Sequence, residues 1–282
     1  MPLDPSTVGQ AAGPYLHQYL WRDVACYALG IGAKRDELAY LYEGHAGGMR
    51  VYPTYALVAA YEPVAELLRR CGADLSTIVH AGQKLVAQGA IPPGGRLETV
   101  GRLAAIYDLR RFARIVIETT TTLGGRRLCE TEWTIVARGA GGLGGARPPA
   151  KEPAVRAPAG REPDWVHEET TAPEQALLYR LSGDVNPLHA DPEAARAAGF
   201  ADGPILHGLC TFGYLVRAVV RRAAGGDAAR LRALGAEFRR PAWPGDTLVT
   251  QAHVLEGGLL ALQVAAKGRP GPVVANAWAK MG

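Results

Sequence analysis

Cysteine is scarce in this 282-residue chain: four residues, Cys26, Cys71, Cys129 and Cys210, are set far apart. They form no C-x-x-C pair and no zinc-type spacing, which excludes a disulfide framework or a zinc knot as the organising feature. Free thiols in a reducing, cytoplasmic setting are the expectation. Also missing is any apolar run of the ~18 or more residues that a membrane helix needs. Residues 1–13 carry neither a basic start nor an apolar stretch, so no leader peptide is expected. The closing Ala279-Lys280-Met281-Gly282 is not a Ser-Lys-Leu type address. Charge of one sign is in short supply too, since 31 Lys+Arg against 27 Asp+Glu leave +4. That balance lacks the dense basic face of a nucleic-acid binder and suits an anionic small molecule equally well.

What is present is enough to fold. Hydrophobic residues make up 48% and charged residues 21%, so the chain buries a core and is not disordered as a whole. Its length fits one large domain or two packed ones. From Gly139 to about Pro163 the sequence reads GAGGLGGARPPAKEPAVRAPAGREP, without apolar period and rich in Gly, Pro and Ala. This is a connector. Its glycines do not make a phosphate loop, because no Lys-Ser/Thr follows and the run passes into prolines instead of a helix. The expected organisation is a half at 1–138, a linker at 139–163 and a half at 164–282.

The two halves resemble each other. DVACYALG from Asp23 aligns with QALLYRLS from Gln175 at an offset of 152, and Pro93-Gly94 with Pro244-Gly245 at an offset of 151. Two matches at nearly one spacing argue for a duplicated unit. Each unit reads as an early amphipathic helix (22–29 and 173–181), a loop and a longer apolar helix (55–70 and 209–223). Strand patterns follow at 78–87, 96–107, 113–122 and 127–136, and again at 231–238, 247–255, 259–267 and 273–280. Half-polar β-branched runs such as Ile115–Thr120 suit antiparallel pairing. The class is α+β, and a long helix wrapped by a curved antiparallel sheet, made twice as a double hotdog, is the simplest architecture with that content.

The segment YRLSGDVNPLHADP, from Tyr179, carries the chemistry. A helix stops at Ser182-Gly183, and Asp184, Asn186, His189 and Asp191 then fall on a stretch that Gly183 and Pro187 keep out of helix. Residue types alone leave three readings open. Asp184 and His189 form an acid/base pair around one water, or they anchor and pack a loop, or with Asn186 and Asp191 they ligate a metal. Asp191-Pro192-Glu193 reads as the start of a short helix that Gly199 ends. Downstream, GPILHGLCTFG from Gly203 leads into the second long helix. If that helix starts at Gly208, its free N–H groups offer a seat for an oxygen that becomes anionic, or Gly208 serves close packing. His207 reads as a buried, hydrogen-bonded residue.

YRLSGDVNPLHADP followed by PILHGLCTFG closely resembles the signature of the hydratase 2 family, the MaoC-like (R)-specific 2-enoyl-CoA hydratases of double-hotdog type. That family includes the hydratase domain of peroxisomal multifunctional enzyme type 2. RDVACYALGIGA, LYEG, VYPTYALV, VHAGQKL and RGAGGLGG fall in the family order in the first half. The resemblance implies hydration of a trans-2-enoyl-CoA to a (3R)-3-hydroxyacyl-CoA. Asp184 and His189 would activate the water, Asn186 would fix their geometry, and the Gly208 N–H would hold the thioester oxygen. CoA is then part of the substrate, and no separate cofactor or metal is expected. Gly30-Ile31-Gly32 stands where the motif would fall in the first half, whose implied role is to accommodate the acyl chain. Glu43, in LYEG, matches a family glutamate and is a further candidate. Arg239 and Arg240 are candidates for the CoA phosphates. Asp108 is followed by Leu-Arg-Arg where the family tends to have Lys-Gly, a departure that bears on acyl or partner specificity. Two other functions stay open: dehydration of (3R)-hydroxyacyl groups on a carrier protein, and a non-catalytic acyl-thioester-binding subunit. A homodimer is expected from open sheet edges.

Overall fold

Two apolar helices organise the molecule, and each is recessed into sheet. The first long helix, α2 (Ala56–Arg70), buries Leu57, Ala60, Val64, Leu67 and Leu68, the i, i+3, i+7 series of a one-sided helix. It follows the shorter α1 (Trp21–Gly30) and a 3-10 turn at Pro53–Tyr55. Pro63 sits inside α2 and removes one helical donor. Gly101 faces it from the sheet: a Cβ there would lie 3.1 Å from the Pro63 Cβ and 3.0 Å from Leu67 Cδ1, so the missing side chain admits the proline ring. The second long helix, α5 (Gly208–Ala223), is buried without interruption from Leu209 to Val220, Arg217 included. Between these helices in the sequence come α3 (Gln175–Tyr179) and α4 (Pro192–Ala197). The computed structural model describes residues 3–75, 77–144, 147–150 and 154–282.

Ten antiparallel strands form one sheet. They are β1 (Ala11–Tyr19), β2 (Ile78–Ala87), β3 (Gly95–Asp108), β4 (Phe112–Leu123), β5 (Arg126–Arg138), β6 (Trp165–Thr170), β7 (Leu231–Phe238), β8 (Thr247–Leu255), β9 (Leu259–Ala266) and β10 (Pro272–Met281). Their spatial order is β1-β3-β4-β5-β2-β7-β10-β9-β8-β6. Read from either end, the order is the same five-strand pattern, and the two copies meet where β2 pairs with β7. The duplication is therefore structural. α2 and α5 begin 152 residues apart, as do β3 and β8. α2 packs on β1, β3 and β4, and α5 on β6 and β7, while α1 packs against α3 across the two copies. This is the double hotdog. Threonines knit β3, β4 and β5 across the buried face through Thr99–Thr121 at 3.0 Å and Thr119–Thr131 at 2.6 Å.

Two strands lie outside the eight expected, and both are sheet edges. β1 carries Gly13-Pro14, which reads as a break; the ladder shifts register between Ala12 and Tyr15, as an edge permits. β6 is six residues long and has a charged or polar residue at four of them, straight after the connector. Among its described residues the connector has no helix or strand from 139 to 163; residues 145–146 and 151–153 lie outside the described set. Its start is tied down, because the Asp108 carboxylate accepts the Gly142 N–H at 3.1 Å and the Gly144 N–H at 2.9 Å. The glycine run thus encloses a carboxylate of its own chain, and the residues that depart from the family pattern, Leu109 to Arg111, follow directly after it.

Candidate active site

The Asp184–His189 loop is shaped by where α3 cannot continue. The helix tightens into a 3-10 turn at Arg180–Ser182 and stops at Gly183, whose φ of 122° suits glycine. Asp184 follows. Its Oδ1 accepts the Asn186 N–H at 3.2 Å and the Tyr61 O–H, from α2, at 3.3 Å. Asn186 in turn caps the next 3-10 turn, Pro187–His189, its Oδ1 accepting the Leu188 N–H at 3.0 Å. Asn186 therefore sets the geometry of the segment that carries His189, with its own side chain at the surface.

His189 is buried and its Nδ1 donates to the Ile205 carbonyl at 2.8 Å. That bond assigns the proton to Nδ1 and leaves the Nε2 lone pair to accept. Burial pushes the imidazole pKa down, against the opposing pull of the Ile205 bond and the Asp184 charge, so the ring is a neutral base near pH 7. Beneath it lies His207, with ring centroids 3.7 Å apart and planes 27° from parallel. The His207 Nε2 donates to the Asp184 backbone carbonyl at 3.1 Å. Burial, and then the neighbouring His189, lower its pKa to about 2, so His207 is an uncharged platform. Its Nδ1 is buried without a hydrogen-bond partner.

His207 is also the residue before α5, and Gly208 is the first of that helix. Among the described residues nothing in the protein accepts the Gly208 N–H, which points out of the helix end with the positive pole of the dipole behind it. The ring of Phe238, at the end of β7, stands 3.7 Å from where a Gly208 Cβ would be. Asp184, His189 and His207 bring ligand atoms within 4.8 Å of one another.

The structure brings Asp184, Asn186, His189 and the His207-Gly208 helix start together, and leaves the remaining candidates apart from them. Glu43 sits in an exposed turn, and no hydrogen bond or ion pair joins it to the loop. The buried glutamate of the first half is instead Glu37, bonded by Tyr52 at 2.7 Å, Arg221 at 3.0 Å and the fully buried Arg217. Arg217 also donates to Glu169 of β6 at 2.9 Å and to the Ile31 carbonyl at 3.1 Å. Arg239 and Arg240 are exposed just beyond Phe238; Arg239 pairs with Glu237, and Arg240 has no ion pair among the described residues. Tyr61, Glu37 and Arg217 escape a reading of the sequence, because Tyr61 meets Asp184 across 123 residues and Arg217 meets Glu37 across 180.

The internal repeat invites a search for a second such site. An offset of 152 carries Asp184 onto Gly32 and Tyr61 onto Gly213. There the space is closed: a Cβ on Gly213 would collide with Ile31, and one on Gly32 with the Tyr214 ring.

Residues 17–139 match the MFE-2 hydratase 2 N-terminal domain, and residues 154–267 match the MaoC like domain. The chain is 36% identical over 278 residues to 3-hydroxyacyl-thioester dehydratase Y of Mycobacterium tuberculosis, covering 96% of this chain and 94% of that protein. It is 37% identical over 281 residues to the peroxisomal enoyl-CoA hydratase 2 of Arabidopsis thaliana, covering 92% and 89%. A MaoC-like dehydratase structure from Phytophthora capsici superposes with a TM-score of 0.88 at 28% identity, covering 99% of this chain and 98% of the other.

Proposed function

Since this chain belongs to the MaoC-like hydratase 2 family of hydro-lyases, we propose that it adds water to trans-2-enoyl-CoA thioesters to give (3R)-3-hydroxyacyl-CoA. The observation that carries the reading is a carboxylate and a neutral imidazole converging beside an unpaired helix-terminal N–H. Water held between Asp184 and the His189 Nε2 bonds through oxygen to the β-carbon while the dyad takes up its proton. The C=C electron pair moves toward the thioester, whose oxygen gains charge and is held by the Gly208 N–H. A proton then passes to the α-carbon, so one water is added and nothing is oxidised. Asp184 and His189 act as a pair, and their acid and base roles alternate between the forward and reverse reactions.

Asp184→Asn and His189→Ala are each expected to lower crotonyl-CoA hydration by about 10²- to 10⁴-fold. The assay is loss of enoyl absorbance, with thermal unfolding nearly unchanged. Activity surviving both substitutions removes the dyad from the mechanism. A carrier-protein thioester would use the same dyad, so rates on the two carriers separate these substrates, and a strong preference for carrier protein overturns the choice of CoA. Persistence of both dyad residues favours an enzyme over a binding-only subunit. Arg240, unpaired and two residues past Phe238, is the better of the two arginines for a CoA phosphate, and Arg240→Ala should raise KM with kcat unchanged. Glu43 falls outside this mechanism, and the first half accommodates the acyl chain; a panel of enoyl-CoAs of increasing length reads its reach.

No cofactor enters the steps above, and dialysis against a chelator should leave the rate unchanged. No helix among the described residues is long and apolar enough to cross a membrane, and the four thiols are free. A cytoplasmic setting fits these thiols and is checked by cell fractionation. The seam strands β2 and β7 pair within the chain, so a homodimer would use other surfaces such as the edges β1 and β6; a monomeric mass in light scattering argues against it.

A further inference from the structure

We propose that Tyr61, supplied by the N-terminal half, is a positioning residue for the Asp184 carboxylate: its O–H holds Oδ1 and leaves Oδ2 to face the reacting water. The proposal rests on the hydratase reading and gives the first half a part in the chemistry besides room for the acyl chain.

Tyr61 lies on α2 and Asp184 on the loop after α3, so the 3.3 Å bond between them crosses from one half to the other. Among the described residues it is the one hydrogen bond by which a side chain of the first half reaches the dyad. Oδ1 has a second donor, the Asn186 N–H at 3.2 Å, while among the described residues no donor reaches Oδ2. Two donors from different elements fix both the rotation of the carboxylate and which oxygen stays open. The repeat shows that this pairing is particular to the reacting side. The positions equivalent to Tyr61 and Asp184 are both glycine, and there Ile31 and Tyr214 fill the space against bare backbone. Burial raises the Tyr61 pKa, and the Asp184 charge raises it further, so the phenol stays protonated and donates throughout the working range without serving as an acid.

A donor to a carboxylate favours its charged form, so loss of the O–H is expected to make that form harder to keep. The groups facing Asp184 are few. His189 lies on its own segment, and His207 lies before α5 and is neutral. Tyr179 and Arg180 lie on α3 and its extension, and exposed Glu62 stands beside Tyr61. None of these donates to Oδ1 in place of the phenol.

The test is Tyr61→Phe alongside Tyr61→Leu, with kcat and kcat/KM for crotonyl-CoA from pH 5 to 9. Tyr61→Phe is expected to lower kcat about three- to tenfold, as for loss of one hydrogen bond. KM should stay near its original value, and the acid limb of the profile should move to higher pH. A phenylalanine variant with the kcat and pH profile of the parent, and a defect only in the leucine variant, reduces Tyr61 to a space-filling role and overturns the proposal. The Asp184 carboxyl can also be followed without substrate, by carbon NMR of aspartate-labelled protein, with Asp184→Asn identifying its signal. Its pKa should rise in Tyr61→Phe, and an unmoved titration overturns the proposal too. A parent chain inert on enoyl thioesters would defeat the hydratase reading, and the NMR titration would still decide whether Tyr61 sets the carboxylate.

Discussion

Histidine protonation links the site to the stability of the molecule. His207 is held down to about 2 and His80, packed between Trp133 and Phe238, to about 4, both by burial; His189 and His17 are lowered for the same reason. Each of these rings binds its proton less readily in the folded chain than in the unfolded one, where the pKa is about 6.5. Between the two values the unfolded state holds the extra proton, so stability is complete above pH ~6.5 and is lost as pH falls. Glu37 acts in the same direction below its ordinary 4.5: burial alone would raise it, but the bonds from Arg217 hold it lower. The melting temperature is therefore expected to drop steadily from pH 7 to 4 in scanning calorimetry. His80→Phe should flatten part of that slope, and a melting temperature independent of pH would contradict the burial argument. At this scale the sequence reveals residues whose partners are close along the chain. Asp184, Asn186 and His189 share one short loop and can be read together, while the stacking of His207 on His189 and the reach of Tyr61 depend on contacts that no local pattern encodes.

Helices and strands were legible where their periodicity is strong. The long helices at 55–70 and 209–223 and eight strands are found within a residue or two of where apolar spacing puts them. The omissions, β1 and β6, are short or proline-bearing edges whose exposed side relaxes the demand for alternating burial. Unforeseen as well is the polar residue at the centre of the most buried element. Arg217 lies in mid-α5, surrounded by hydrophobic neighbours, and reaches Glu37 of the first half and Glu169 of β6. A buried ion group is costly to form and costlier to break, because removing one member strands the others. Arg217→Met should cost about 3–5 kcal/mol in urea unfolding, by removing the buried cation shared by Glu37 and Glu169. A loss under 1 kcal/mol would mean that water or Arg221 takes over its role.

For the molecule as a whole, the seam between β2 and β7 and the Arg217 group make the halves one cooperative body despite the Gly/Pro-rich connector. A single calorimetric transition with equal calorimetric and van't Hoff enthalpies is expected, whereas two separable transitions would show halves that fold alone. The sequence repeat made the duplication visible and could not show how the copies join, since strand pairing across a seam leaves no periodic trace. Joining them in one chain has a further effect. When two identical subunits make such a sheet, every position appears on both sides of the symmetry axis, so a substitution that improves one pocket is forced on the other. Here the coupling is broken: the position that is tyrosine beside Asp184 is glycine at its mirror image, under Ile31. Each copy can be revised separately: at Gly32 and Gly213 the space is taken by Tyr214 and Ile31, while at the equivalent positions Tyr61 meets Asp184.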